Sequence, residues 1–288
     1  MTRIEGIPRS PVDPAVTLGV LVAERPARAA LFERLRLDYC CGGRQTLAEA
    51  CRERGLEADS VRAALQALDD PAVVDEGSEP IDWRGAGIAG LCAHIVTVHH
   101  GGLQGAFPRI DALLCAVVRV HGRDHPELGE LQRAFAEFRV ELEQHLAIEE
   151  NGLFPACLER ERHGTPIAES LLEEHEREHW VIGHGLAALR VLGRDYDRER
   201  ALCTTHRALL DALEAFELDL HQHIHEENNI LIPRVRELNA QLRATSPRPS
   251  ASMRSPRAPG RVQEPQSLPR CCQAWIAEQN HTWLAHKP

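Results

Sequence analysis

Two histidine–glutamate pairs, His145 with Glu149 and His223 with Glu227, recur 78 positions apart. Spacing of four residues puts both side chains of a pair one turn apart on the same face of a helix. Each pair interrupts an apolar stripe at the same point. Leu131, Phe135, Phe138 and Leu142 precede the first pair and Leu153 follows it; Leu209, Leu213, Phe216 and Leu220 precede the second and Leu231 follows. An imidazole or carboxylate on a core-facing stripe loses its water and needs a compensating partner. One such histidine is more often a core residue than a ligand, but the same pair twice, on matching stripes, points to metal. The surrounding phrases match too, "EQHLAIEENGLFP" at 143–155 and "HQHIHEENNILIP" at 221–233. The additional polar residues of the second phrase, His221, His225 and Glu226, fall off the stripe and read as solvated or supporting groups.

Two further segments offer imidazoles. In "SLLEEHEREHWVIG", His175 lines up with Leu171, Leu172, Ile182 and Leu186, and His179 shares that face one turn on. In "GLCAHIVTVHHGG", His100 aligns with Val96, Leu103 and Phe107, yet His99 also precedes Leu103 by four, so periodicity does not choose between them. Imidazole and carboxylate donors, with no cysteine on the stripes, argue against a structural zinc site. Bridging carboxylates inside a four-helix bundle suit two iron atoms. Ligands richer in imidazole than a ferritin-like set lower the negative charge on such a centre and favour its diferrous state. An open coordination position would admit O2 or NO.

The elements that must hold these groups are helices, because β-branched alternating runs are almost absent. Residues 12–70 read as a small helical domain, and the acidic "DDPAVVDEGSEP" that ends it as a linker. Residues 81–243 read as the four-helix bundle. Residues 244–288, with seven prolines and five serines, read as a disordered tail. The expected fold class is therefore all-α. A net charge of −10 disfavours nucleic acid as a partner. The N-terminus lacks an apolar signal-like run, and the uncharged stretch 85–108 is broken by six glycines, so no membrane span is expected. Nine cysteines without a CxxC pair suggest reduced thiols and a cytoplasmic location.

Cys40 and Cys41 lie in "DYCCGGRQTLAEA", between a helix carrying Leu31, Phe32 and Leu35 and one that begins at Thr46. Thr46 and Glu49 have capping-box spacing, so the two glycines make the turn. Thiols just ahead of a helix N-terminus, with Arg44 close by, are expected to ionise more easily than usual. Adjacent cysteines strain a disulfide between themselves, which leaves exchange, reaction with NO or the handing-on of iron. Cys51, Cys92, Cys115, Cys157 and Cys203 read as small core or incidental residues.

With these residues in place, the sequence resembles the hemerythrin-like HHE cation-binding bundles. More narrowly it resembles the repair-of-iron-centres family, di-iron proteins that restore iron–sulfur clusters after oxidative or nitrosative damage. The similarity covers roughly residues 12–238 and rests on "LDYCCGGRQTLAEAC", "DWR", "HGRDHPEL", "HLAIEENGLFP", "EEHE" and "HIHEENNILIPR". The combination of Tyr-Cys-Cys-Gly-Gly with an HHE bundle is its most specific part. It implies iron ligands at His100, His121, His145, Glu149, His175, His223 and Glu227, with Glu149 and Glu227 bridging. It thereby chooses His100 over His99 and nominates His121, which periodicity does not find. It implies two non-haem irons joined by carboxylates and an oxo or hydroxo bridge. Cys40 and Cys41 become candidates for redox or iron-transfer chemistry, and Glu141 and Glu174 for assisting proton or iron movement. The implied partners are damaged iron–sulfur proteins, NO and O2 as small ligands, and a second copy of the chain; nucleic acid and membrane are not among them. The implied activity is repair by iron donation rather than enzymatic turnover. The alternatives are an NO- or O2-binding sensor or carrier and an enzyme reducing NO or peroxide. The sequence departs from the family at His99, where relatives carry an aromatic, at the extra donor His179, at "ILIP" and in its tail.

Overall fold

The computed structural model describes residues 12–69 and 82–245, all within one compact unit. Most of the expected linker and the tail from residue 246 lie outside the described residues. The described elements are helical, apart from an isolated bridge between Thr17 and Thr46. None of these helices is long and apolar enough to cross a membrane.

Four short helices build the first part: α1 (Leu18–Glu24), α2 (Ala29–Leu35), α3 (Leu47–Glu53) and α4 (Ala58–Leu68). Seven-residue helices are too short to hold in water alone, so packing must stabilise them. Leu18, Phe32, Leu47, Cys51 and Leu65 supply that shared core. The capping box is present: Thr46 Oγ1 accepts from Glu49 N–H at 3.2 Å, and a Glu49 carboxylate oxygen accepts from Thr46 N–H at 3.0 Å. Arg28, buried between α1 and α2, closes the unit by donating to Asp69 at 2.5 Å and to the Leu21 carbonyl at 3.0 Å.

The second part is a bundle whose long helices continue into short ones. In order they are α5 (Ile88–His94), α6 (Gly101–His121), α7 (Glu127–Ile148), α8 (Phe154–His163), α9 (Glu169–Leu192), α10 (Thr204–Glu226) and α11 (Ile232–Thr245). Helix α6 packs on α7 and α10, and α7 on α9. Phe216 sits at the middle of the core, with the rings of Phe107, Phe135 and Phe138 at 5.8, 5.8 and 6.2 Å. These contacts concentrate the few aromatics where an edge-to-face arrangement adds to area burial.

Three π-helical turns join long helices to short ones: Ile95–His100, Glu149–Leu153 and Glu227–Leu231. Two have a cause in the sequence. Pro155 and Pro233 have no N–H for the carbonyl four residues back, and their rings crowd it, so the helix widens just ahead of each proline. The wide turns fall at the level where the four helical lines of the bundle pass from one apolar cluster to the other. The α7 line runs from Leu142 and Leu146 across Glu149 to Leu153 and Phe154; the α10 line runs from Leu220 and Ile224 across Glu227 to Ile230 and Leu231. Ile95 and Leu103 flank His100 in the same manner, and Leu172 and Ile182 flank His175 and His179. The polar residues that interrupt the stripes thus form one layer, sealed above and below by hydrocarbon.

Candidate metal centre

Five imidazoles and two carboxylates meet in that layer: His145, His175 and His179 on one side, His100 and His223 on the other, with Glu149 and Glu227 between. Glu149 divides its oxygens. Oε1 lies 2.7, 3.4 and 3.4 Å from Nε2 of His145, His175 and His179, while Oε2 lies 3.2 and 3.5 Å from Nε2 of His100 and His223. Glu227 does the same. Its Oε2 faces His175 and His179 at 2.5 and 3.4 Å, and its Oε1 faces His223 at 3.1 Å. Each carboxylate therefore presents one oxygen to each imidazole group, as a bridge between two cations requires.

The outer ring nitrogens fix which way the lone pairs point. His100 Nδ1 donates to Glu150 at 2.7 Å, His145 Nδ1 to Glu178 at 3.0 Å and His179 Nδ1 to Asn228 Oδ1 at 2.8 Å. The Asn228 amide is oriented by its Nδ2, which reaches the Cys40 carbonyl at 3.5 Å. With each Nδ1 engaged as a donor, Nε2 is the nitrogen aimed inward, the one that offers its lone pair to a cation, as in the arrangement that orients metal-binding histidines. Nε2 of His100, His145 and His179 and both oxygens of Glu149 make no hydrogen bond although they are fully buried. Buried lone pairs facing one another are costly unless a cation lies between them. The donor set fits divalent transition-metal binding.

The electrostatics agree. Burial opposes charge on Glu149, but His223 and His145 beside it hold its carboxyl well below the usual range. Burial and Glu149 both push Glu227 up, yet His223 and His175 outweigh them and bring it to about 2. Burial pulls His145 and His223 down, but the two carboxylates more than offset this and raise them to about 9 and about 10. His179, lowered to about 4 by burial and by neighbouring His175, stays neutral. In the metal-free chain, protons on His145 and His223 balance the two carboxylates that cations would otherwise balance.

The extra polar residues of the second phrase hold the cysteine-bearing unit against this layer. His221 donates to Glu33 at 2.7 Å, and His225 meets the Tyr39 ring edge-on at 5.5 Å. Asn229 Nδ2 donates to the carbonyls of Tyr39 and Cys40 at 3.2 and 3.1 Å. The Asn229 side chain fills the space left by two glycines: a Cβ on Gly19 or Gly43 would come within 2.2 or 2.3 Å of its Oδ1. Cys41 Sγ lies 3.5 Å from the His179 carbonyl. The Cys-Cys turn therefore rests on His179 both directly and through Asn228.

Residues 15–69 match a domain of unknown function (DUF542), and residues 93–235 match the hemerythrin HHE cation-binding domain. The iron–sulfur cluster repair protein YtfE of Yersinia pseudotuberculosis serotype IB (strain PB1/+) is 32% identical over 218 residues, covering 76% of this chain and 95% of that protein. YtfE of Yersinia pestis (strain Pestoides F) matches with the same identity and coverage. The chain belongs to this iron–sulfur cluster repair family.

Within that family frame, the structure brings together His100, His145, Glu149, His175, His223 and Glu227 but not His121. His100 and His121 stand at opposite ends of α6, and 21 residues of helix separate them by about 30 Å. His121 Nε2 lies instead 3.3 Å from Cys203 Sγ, at the start of α10. His179, the extra donor, occupies the layer in its place. The supporting carboxylates are Glu150 and Glu178; Glu174 is exposed and pairs with Arg177, and Glu141 is exposed as well. His225 and Glu226 are buried, not solvated. The expectation of an easily ionised Cys40 is also corrected. Cys41 beside it and burial hold the Cys40 thiol well above its ordinary value. The cation expected to help is elsewhere, since Arg44 pairs with Glu176 on α9.

Proposed function

We propose that the chain holds two iron ions between Glu149 and Glu227 and repairs iron–sulfur clusters by giving iron up to them. The division of both carboxylates between two imidazole groups carries this reading. His145, His175 and His179 would hold one ion and His100 and His223 the other, with Glu149 and Glu227 shared. Such a pair supplies redox-active, exchangeable iron and a position for a diatomic such as NO or O2. Glu150, Glu178 and Asn228 would keep three rings turned with Nε2 inward. The His100–His223 side has one imidazole fewer, so its ion would be released first. The Cys40–Cys41 turn, linked to His179 through Asn228, would sense or receive what leaves. Its thiols belong to a cytoplasmic setting that keeps cysteines reduced. The relatives' name, iron–sulfur cluster repair protein, supports the same reading.

The test is reactivation of a damaged iron–sulfur enzyme by anaerobically iron-loaded protein. Activity should return faster than with the same amount of free Fe2+, and Glu149→Leu should abolish the advantage. Reactivation no better than free iron, with NO or O2 binding reversibly and no iron lost, would replace donation by sensing.

A further inference from the structure

We propose that His94, His99 and Glu226 form a third site, for a single divalent transition-metal ion, on the flank of the layer that holds the pair. His99 Nδ1 donates to Asp219 at 2.6 Å, which leaves Nε2 as the nitrogen that can face a cation. That nitrogen lies 3.5 Å from Glu226 Oε1, and His94 Nε2 lies 3.4 Å from the same oxygen. His99 and Glu226 are 6% and 8% exposed, and neither His99 Nε2 nor Glu226 Oε2 makes a hydrogen bond. One donor atom from each of the three residues falls within 4.8 Å of the others. Donors about 2.1 Å from a common ion stand about 3.0–3.4 Å apart at octahedral or tetrahedral angles, so these spacings fit a shared cation. Two imidazoles and one carboxylate, with positions left for water, form a donor set for Fe2+ and its neighbours rather than for Ca2+ or Mg2+.

The backbone explains how the set is assembled. Residues five apart on an α-helix point about 140° away from each other. The π-helical turn Ile95–His100 takes up most of that divergence, since its hydrogen bonds link residues five apart. The rings of His94 and His99 accordingly meet edge-on at 5.3 Å. His99 and Glu226 are the chain neighbours of His100 and Glu227, so the third site occupies the next face of the same two helices. The His99 ring stacks on His223 at 6.2 Å, and Trp83 covers His94 at 4.3 Å. A cleft of about 330 Å³ between α6 and α10, lined by Gly102, Gly105 and Ala212, reaches Asp219, the residue that accepts from His99. Granted the iron-donor function proposed above, the site is where iron pauses between solvent and the pair. The existence of the site does not depend on that function.

The experiment is anaerobic equilibrium dialysis of the chelator-stripped full chain against Fe2+, with bound metal counted for the wild type, His99→Phe and Glu226→Gln. Each variant should hold one ion fewer than the wild type, or hold its weakest ion at least about tenfold less tightly. Equal numbers and equal affinities would overturn the third site. Because the readout is a difference, a failure of the paired centre would appear in the wild-type total and leave the difference intact. If His99→Phe does not fold by circular dichroism, the near-isosteric Glu226→Gln decides alone.

Discussion

Replacing Asn229 by alanine should unlatch the cysteine-bearing unit from the bundle. The amide makes two hydrogen bonds across that boundary, to the Tyr39 and Cys40 carbonyls at 3.2 and 3.1 Å. A net contribution of about 1 kcal/mol each makes the latch worth about 2 kcal/mol. The Cys40 carbonyl keeps its Asn228 contact at 3.5 Å, so no further desolvation penalty is added there. A change of about 2 kcal/mol raises the undocked population about 30-fold. Cys40 reports that population, being 5% exposed and held neutral in the docked state. Alkylation by iodoacetamide, followed at each cysteine by mass spectrometry, should accelerate about 30-fold at Cys40 and not at exposed Cys115. Acceleration below about threefold would refute the latch. Equal acceleration at buried Cys157 would mean global unfolding instead.

Three further outcomes are expected. Glu149→Leu should cost the chain more than one of the irons that the wild type binds, because Glu149 faces both imidazole groups; His121→Ala should leave loading unchanged by metal analysis. Gly43→Ala would place a methyl 2.5 Å from the Tyr39 backbone oxygen, so the urea midpoint should fall by an amount equivalent to about 1–3 kcal/mol, and an unchanged midpoint would contradict the close approach. Metal affinity should rise with pH. His145 and His223 are raised to about 9 and about 10 in the metal-free chain, so both carry protons at neutral pH that iron must displace. Two displaced protons make the apparent affinity about 100-fold higher per pH unit between neutrality and about pH 9, and a flat titration profile would refute the assignment.

The fold class and much of the centre were legible because helical period is a strong signal. His145, Glu149, His223 and Glu227 interrupt stripes that have no other reason to be polar, and His175 and His179 sit on a third stripe. What periodicity could not choose, His99 or His100, turns on a π-helical turn: widening the helix by one residue breaks the 3.6-residue count on which alignment with Leu103 depends. Resemblance chose His100, which reaches the layer, and nominated His121, which does not. The fifth imidazole was on the correct face all along as His179, and a shared stripe with His175 was the signal for it. The roles of His221, His225, Asn228 and Asn229 were hidden for another reason. They lie off the stripe because they face residues 33–43, and contacts between segments nearly 190 positions apart leave no local pattern. The state of Cys40 leaves no mark in the sequence because packing sets it: Cys41 and burial hold the thiol up, and Arg44, its neighbour in sequence, points to Glu176.

The most direct test of the central claim is low-temperature Mössbauer spectroscopy of the full chain loaded anaerobically with isotopically enriched iron and then desalted. Two carboxylates, each divided between the same two imidazole groups, should retain a pair of irons per chain whose spins are coupled through their shared bridges. Iron present only as isolated high-spin centres, or no iron surviving desalting, would contradict the account.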